Sequence, residues 1–273
     1  MKAVFGLVLI IITTSKLSAQ LASVPPTGPK ALGMGSISVT SKDNWALFNN
    51  PAGLAELEKT SALFAYRTIF DFTPFNTVSA GVAFPTKIGT AGVSVFRFGD
   101  NKFNSQMLSG MFSHQIGILS LGIRANYLQF NIEGFGRKAI FVADMGAIAK
   151  LSDQLSFGVQ VTNFTQSSVS DEDQERVPTI INIGLSYEPT ANLFITMEGE
   201  KDVDLEADLK FGLEYKILDK IFVRTGFTID KGTHSYGAGI ELDQFFFDYG
   251  IKIDQYLGNN HNLGLVFTFP NKR

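Results

Sequence analysis

Along most of the chain apolar residues fall at every second position. From Ala207, the residues Ala207, Leu209, Phe211, Leu213 and Tyr215 share one face, and Asp208, Lys210, Gly212, Glu214 and Lys216 share the other. Leu155, Phe157, Val159 and Val161 oppose Ser156, Gly158, Gln160 and Thr162, and Ile181, Ile183, Leu185 and Tyr187 oppose Asn182, Gly184 and Ser186. Phe245, Phe247, Tyr249, Ile251 and Ile253 oppose Phe246, Asp248, Gly250 and Lys252, and Leu263, Leu265, Phe267 and Phe269 oppose Asn262, Gly264 and Thr268. A period of two is that of a β-strand with chemically distinct faces. The pattern predicts strands over residues 60–70, 75–85, 87–98, 103–115, 117–130, 138–149, 154–163, 178–187, 192–201, 206–216, 220–229, 233–241, 244–253 and 260–270. Three of these, in 87–98, 107–115 and 138–150, have mixed faces and poorly defined registers.

A soluble sandwich also alternates. Strand length favours a bilayer, because soluble strands are usually about five or six residues long and a tilted membrane strand needs about nine to eleven. Aromatics near the ends of the apolar faces and Gly and charge on the polar faces agree with this. The connections separate into two sets. The short ones are Pro85-Thr86, Gln115-Ile116, 151–154, 188–191, Leu218-Asp219 and Leu242-Asp243; the looser ones are 71–74, 99–102, 131–137, 163–177, 202–205, 230–232 and 254–260. A barrel with both ends in the periplasm should show this alternation. The longest loop carries the acidic run Asp171-Glu172-Asp173. The expected fold is therefore all-β: a transmembrane antiparallel barrel of about fourteen strands.

The beginning of the chain reads differently. Lys2 precedes an apolar run from Ala3 to Ile12, and Leu17-Ser18-Ala19 offers a small-residue cleavage site before Gln20. This is the order of a secretory signal peptide, and the run is too short for a membrane helix. Residues 1–19 are thus expected to be a signal peptide, 20–59 a short N-terminal hatch and 60–270 the barrel. The expected location is the outer membrane of a Gram-negative bacterium after Sec export. Within 20–59, Pro25-Pro26 and Gly28-Pro29 predict extended or turning backbone. Residues 36–40 suit a short strand, and 45–57 are the most helix-like, with Asn50 as a cap and Pro51 at the first helical position.

Composition removes several alternatives. There is no cysteine among 273 residues, so disulfides and thiolate metal sites are excluded. Loss of Lys2 and Lys16 on cleavage would take the formal charge from −3 to −5, which argues against nucleic acid. The three histidines, His114, His234 and His261, fall on separate strands or strand ends, so serine activation lacks an obvious base. His234 or His261 would meet a serine, Ser235 or Ser113, only across neighbouring strands, and polar strand ends explain these residues more simply. No metal-ligand spacing or phosphate-binding loop is evident. The expectation is a non-enzyme without cofactor, with outer-membrane lipids as its surroundings.

The polar faces place Arg124, Glu198, Glu200, Asp208, Lys210, Glu214, Arg224, Glu241, Asp248 and Lys252 inward, since Lys or Arg on the lipid face at the midplane costs about 2–4 kcal/mol. These groups are expected to form a polar network that holds the hatch rather than to line a pore. Leu263 to Phe269 resembles the aromatic C-terminal signal of barrel assembly, and Phe267→Asp or Phe269→Asp is expected to prevent assembly.

Ala31-Leu32-Gly33-Met34-Gly35 and Trp45-Ala46-Leu47-Phe48-Asn49-Asn50-Pro51-Ala52-Gly53-Leu54-Ala55, followed by a run of strands, resemble FadL-like outer-membrane proteins, especially the PorV/PorQ-like branch of Bacteroidota. The residue-level match spans about Gly28 to Ala55. The resemblance implies a fourteen-strand barrel whose hatch includes Asn50, Pro51 and Ala52. It implies two roles: association with type IX protein secretion or cell-surface attachment, with secretion-machinery proteins as partners; or FadL-like passage of long-chain fatty acids or other hydrophobic small molecules. The scarcity of long outer loops favours the first.

Overall fold

The computed structural model describes residues 28–168, 177–203 and 205–270. The expected signal peptide and the acidic run Asp171-Glu172-Asp173 lie outside the described residues. Fourteen strands form one closed antiparallel barrel: β1 (Ser61–Ile69), β2 (Phe72–Thr86), β3 (Gly89–Gly99), β4 (Phe103–Ile116), β5 (Leu119–Ile132), β6 (Gly136–Lys150), β7 (Leu155–Thr162), β8 (Ile180–Thr190), β9 (Leu193–Asp202), β10 (Asp208–Ile217), β11 (Ile221–Thr228), β12 (Thr233–Leu242), β13 (Phe245–Asp254) and β14 (Gly258–Thr268). Each strand pairs with its sequence neighbours, and β14 closes on β1 through Ser61↔Thr268 to Thr68↔His261. Closure satisfies every ladder and leaves no edge, which is what a lipid environment requires.

The exterior is apolar. Phe64, Val93, Leu108, Ile123, Phe141, Ile183, Phe211, Tyr236, Phe247 and Leu263 all point outward and are exposed. Among the described residues no helix is long and apolar enough to cross a membrane; crossing falls to the strands. The protein is thus an outer-membrane barrel. At the end carrying Ser61 and Thr268 the turns are short, 87–88, 117–118, 151–154, 191–192, 218–220 and 243–244, so this end is periplasmic by the usual asymmetry. The opposite connections are scarcely longer, except 163–179 between β7 and β8. Several turns are displaced from the sequence reading: Pro85-Thr86 and Gln115-Ile116 still belong to strands, because the ladders continue through Thr86↔Gly89 and Ile116↔Leu119.

The N-terminal segment departs from expectation in detail. A five-residue helix, α1 (Pro29–Gly33), follows Gly28 where extended or turning backbone was predicted, with Pro29 at its first position. Residues 36–40 make no strand, since the barrel has no free edge for them to join. The helix expected over 45–57 is two 3-10 turns, Asn44–Leu47 and Pro51–Leu54. Asp43 caps the first by accepting from Trp45 N, and Asn50 caps the second by accepting from Ala52 N. Pro51 interrupts what would otherwise be one longer helix.

This segment sits inside the barrel. Trp45, Ala46, Leu47, Phe48 and Leu54 pack with Leu63, Ala65, Ala83, Phe96, Met107, Met111, Leu128, Phe130, Val142 and Val266. The inward face of β1 to β6 is therefore partly apolar, whereas β8 to β13 present charge. This explains the mixed faces of β3, β4 and β6: each has lipid on one side and, on the other, Phe96 or Met107 and Met111 or Val142 and Ile148 buried in the lumen.

Candidate functional site

The lumen is built to receive the N-terminal segment. Glycines stand at the inward positions where its backbone touches the wall. A Cβ at Gly250 of β13 would meet Pro29 O, one at Gly237 of β12 would meet Gly33 Cα at 3.2 Å, and one at Gly226 of β11 would fall on Met34 and Gly35. Continuing round, Gly158 of β7 faces Val39, Gly146 of β6 faces Asn50, and Gly122 of β5 faces Pro51 and Ala52. The segment thus follows the inner wall, and the glycines let two backbones approach where any side chain would hold them apart. Gly35 also has φ 75°, a conformation disfavoured for other residues.

Charged side chains complete the seat. Glu198 is 1% exposed; its Oε2 accepts from Ser38 N and Val39 N, both at 2.9 Å, while its Oε1 accepts from Asn182 Nδ2 at 2.7 Å and faces Lys210 Nζ at 3.4 Å. Lys210 also pairs with Glu200 at 2.6 Å. Arg124 pairs with Asp144 at 2.7 Å and donates to Leu47 O at 3.2 Å and Asn49 O at 3.1 Å. Arg224 lies between Glu214 and Asp248 and is paired with both. Lys30 of α1 reaches Glu214 at 3.4 Å and Asp43 at 3.2 Å. Burial alone would depress the Lys30 ammonium; the carboxylates of Glu214 and Asp43 outweigh that and hold its pKa above the ordinary lysine value. Asn50 Nδ2 donates to Val39 O at 2.6 Å and Val159 O at 3.3 Å, Pro51 O accepts from Ser113 Oγ, and Ala52 abuts Gly122.

All the residues singled out as inward do face the lumen, but they divide into groups. Glu198, Glu200 and Lys210 form one cluster, and Glu214, Arg224 and Asp248 a second, while Arg124 stands with Asp144 across the barrel. Asp208 accepts from Asp230 N at 3.2 Å and has no ion pair among the described residues, and neither has Lys252. Glu241 lines a recess at the periplasmic end. Sequence reasoning missed Lys30, Asp43, Arg67 and Asp144. The first two lie where no periodicity exists, and Asp144 is on a strand whose faces could not be told apart; Arg67 sits inward on β1 and was detectable by alternation.

Three spaces flank the segment among the described residues. On the outer side lies a cavity of about 190 Å³ where Arg67, Arg124, Lys210, Lys231 and Lys252 stand beside Phe48, Met107, Leu128 and Val142. On the periplasmic side lie a recess of about 240 Å³ bordered by Lys30, Trp45, Glu214, Arg224, Glu241 and Phe246 and another of about 380 Å³ bordered by Lys30, Thr40, Ser41, Lys42 and Glu56, which meet at Lys30, Glu214 and Phe222. The outer cavity shares no lining residue with either.

The fold of this chain is found in solved structures. The Ralstonia pickettii toluene transporter TbuX superposes with a TM-score of 0.70 at 10% identity, covering 90% of this chain and 99% of that one. A deltaS2 mutant of the monoaromatic hydrocarbon channel TodX gives 0.68 at 12% identity, covering 89% and 98%. A Pseudomonas aeruginosa FadL homologue gives 0.63 at 13%, covering 90% and 98%. The fold is that of the FadL-type channels. At these identities the likeness is one of fold. No protein-family model matches the sequence, and no curated protein matches it either.

Set beside the FadL-type fold, the histidines have structural surroundings. His261 meets Tyr249 Oη at 2.8 Å and Asp71 at 3.1 Å near the outer rim, and His234 packs on Phe227. Neither is hydrogen-bonded to a serine among the described residues. No group of three or more His, Asp or Glu with metal-binding geometry occurs among them.

Proposed function

We propose that this protein is a closed, non-enzymatic outer-membrane barrel that acts through its surfaces, in association with type IX protein secretion or cell-surface attachment, as its resemblance to PorV/PorQ-like barrels over Gly28 to Ala55 implies. Residues 28–59 serve as the hatch, with Asn50, Pro51 and Ala52 as its fixed corner and the Glu198, Arg124 and Lys30 contacts as its fastenings. The observation that carries the reading is the fastening of the segment to both walls, between periplasmic spaces and an outer cavity that shares no lining residue with them. The space outside the hatch is mixed, with eight charged side chains beside Phe48, Met107, Leu128, Val142, Val177 and Ile180, and only one outer connection exceeds five residues. The charge and the short outer connections suit a stopper better than a conduit for hydrocarbons. Affinity purification of the tagged protein from native outer membranes in mild detergent tests this, with copurifying proteins and lipids identified by mass spectrometry. Stoichiometric secretion-machinery subunits are expected; their absence would count against the reading.

A second reading, passage of a hydrophobic small molecule, is favoured by one feature beyond the fold. The lipid face of β11 to β14 and β1 carries an apolar depression of about 560 Å³ walled by Phe64, Tyr66, Ile240, Phe247, Tyr249 and Leu263. Its floor includes Gly239 and Gly264, whose inner sides are packed by Phe246 and by Trp45 and Pro29 respectively. Recovery of a lone barrel carrying fatty acid or hydrocarbon would favour this reading instead.

A further inference from the structure

The buried cations Arg124, Lys210 and Arg224 and the half-buried Lys30 of the lumen each have a carboxylate within 3.4 Å. Arg67 does not. It is 8% exposed, its Nε has no hydrogen-bond partner, and it makes no ion pair among the described residues. Across the ladder its neighbour is Asn262, 0% exposed, with both amide atoms equally unpartnered. On the next strand Lys252 also lacks an ion pair, and Lys231, in the connection between β11 and β12, borders the same outer cavity. That cavity is lined by five cationic side chains and three carboxylates. Two of the carboxylates are already engaged, Asp144 by Arg124 and Glu200 by Lys210; Asp208 accepts from Asp230 N through Oδ1 and leaves Oδ2 unpartnered, so a single negative charge stands among the three remaining cations, Arg67, Lys231 and Lys252.

A desolvated guanidinium without a partner is costly, and a barrel that neutralises its other buried cations internally has left this one facing a space of about 190 Å³. We propose that Arg67, Lys252 and Lys231 form an anion site in the outer half of the lumen, for a small oxyanion of the phosphate or sulfate type. The planar donor fork of Arg67 suits two oxygens of such a group, and the two ammonium groups supply further charge. The site lies on the outer side of the hatch and belongs to the lumen whether or not the protein serves secretion. The same chemistry is met by free phosphate and by a phosphate carried on a lipid headgroup; the enclosed position inside the wall favours the free ion.

Isothermal titration of the full-length protein, purified in a phosphate-free zwitterionic detergent, tests this with inorganic phosphate as the probe. One phosphate per barrel is expected, with sulfate competing. Arg67→Gln should weaken binding by about tenfold or more, on the scale of one lost charge-assisted hydrogen bond. Lys252→Gln, a change at a less buried position, should also weaken it and keeps the test open if Arg67→Gln fails to fold. Lys102→Gln, in an outer connection on another side, should leave it unchanged. Failure of the wild-type protein to bind phosphate, or equal binding by the folded Lys252→Gln and wild-type proteins, would overturn the proposal. Phosphate bound only when presented on a phospholipid would overturn the free-ion form of it. Neither result bears on whether secretion subunits copurify.

Discussion

Arg124 and Asp144 illustrate how single residues hold the N-terminal segment. Arg124 joins a carboxylate on the neighbouring strand to two carbonyls of the segment, so its loss leaves the buried Asp144 charge without a counter-charge, held only by Asn126 Nδ2 and Asn163 N, and leaves Leu47 O and Asn49 O with only their longer contacts to Ser94 and Gln160. Arg124→Ala is expected to destabilise the fold by about 3–5 kcal/mol, the usual cost of breaking a buried pair from one side; denaturant unfolding in micelles would check it. At Gly226 a side chain would fall on the backbone of Met34 and Gly35, whereas nothing lies within 4 Å of a Cβ at Gly110. Gly226→Val should therefore expose residues 28–59 to limited proteolysis, and Gly110→Ala should not. Lys30 behaves oppositely to a neutral-pH switch. Its pKa lies above the ordinary 10.5, so the stabilisation from Glu214 and Asp43 is complete below that value and is lost only as pH rises through the raised one. Protection of the segment from protease should accordingly be insensitive to this group across the neutral range.

At the scale of strands, alternation made most of the wall legible. β10 and β14 could be assigned a lipid face and a lumen face from sequence because their inward positions are polar or Gly for most of their length. β3, β4 and β6 resisted because the core shared with the N-terminal segment puts Phe96, Met107, Met111 and Val142 on their inner faces as well, so the contrast that defines a register weakens. The N-terminal segment was legible at Asn50 and Pro51, a cap and a fixed φ, and not at Pro29–Gly33 or between the two 3-10 turns. Its conformation is dictated by contacts with strands distant in sequence rather than by its own propensities. The same geometry revises an expectation for the last strand. Phe267 and Phe269 lie at its periplasmic end, with Phe269 just past Thr268, where a charge on the lipid face costs only about 0–1 kcal/mol. Leu263, half way along β14 and outward, is the sensitive position. Leu263→Arg should cost about 2–4 kcal/mol and lower the folded fraction, while Phe269→Arg should be mild; heat-modifiable mobility on gels would separate them.

The molecule as a whole is a wall and an internal segment that complete each other. Without the segment, the inward glycines, the apolar patch of β1 to β6 and the carbonyl-directed Arg124 would all face water; without the wall, residues 28–59 are too few to bury Leu47, Leu54 and Trp45. Sequence alone conveyed the barrel, its strand number and the inward charges, because each follows from a local period. Which inward charges pair, and the isolation of Arg67, depend on neighbours around a closed ring and became visible only in three dimensions. The account rests on closure of the lumen, and the most direct test is single-channel conductance of the purified full-length protein in planar bilayers, with Gly226→Val alongside. Wild-type protein should show no sustained conductance and Gly226→Val should show opening events; wild-type conductance comparable to that of an open porin would contradict the account.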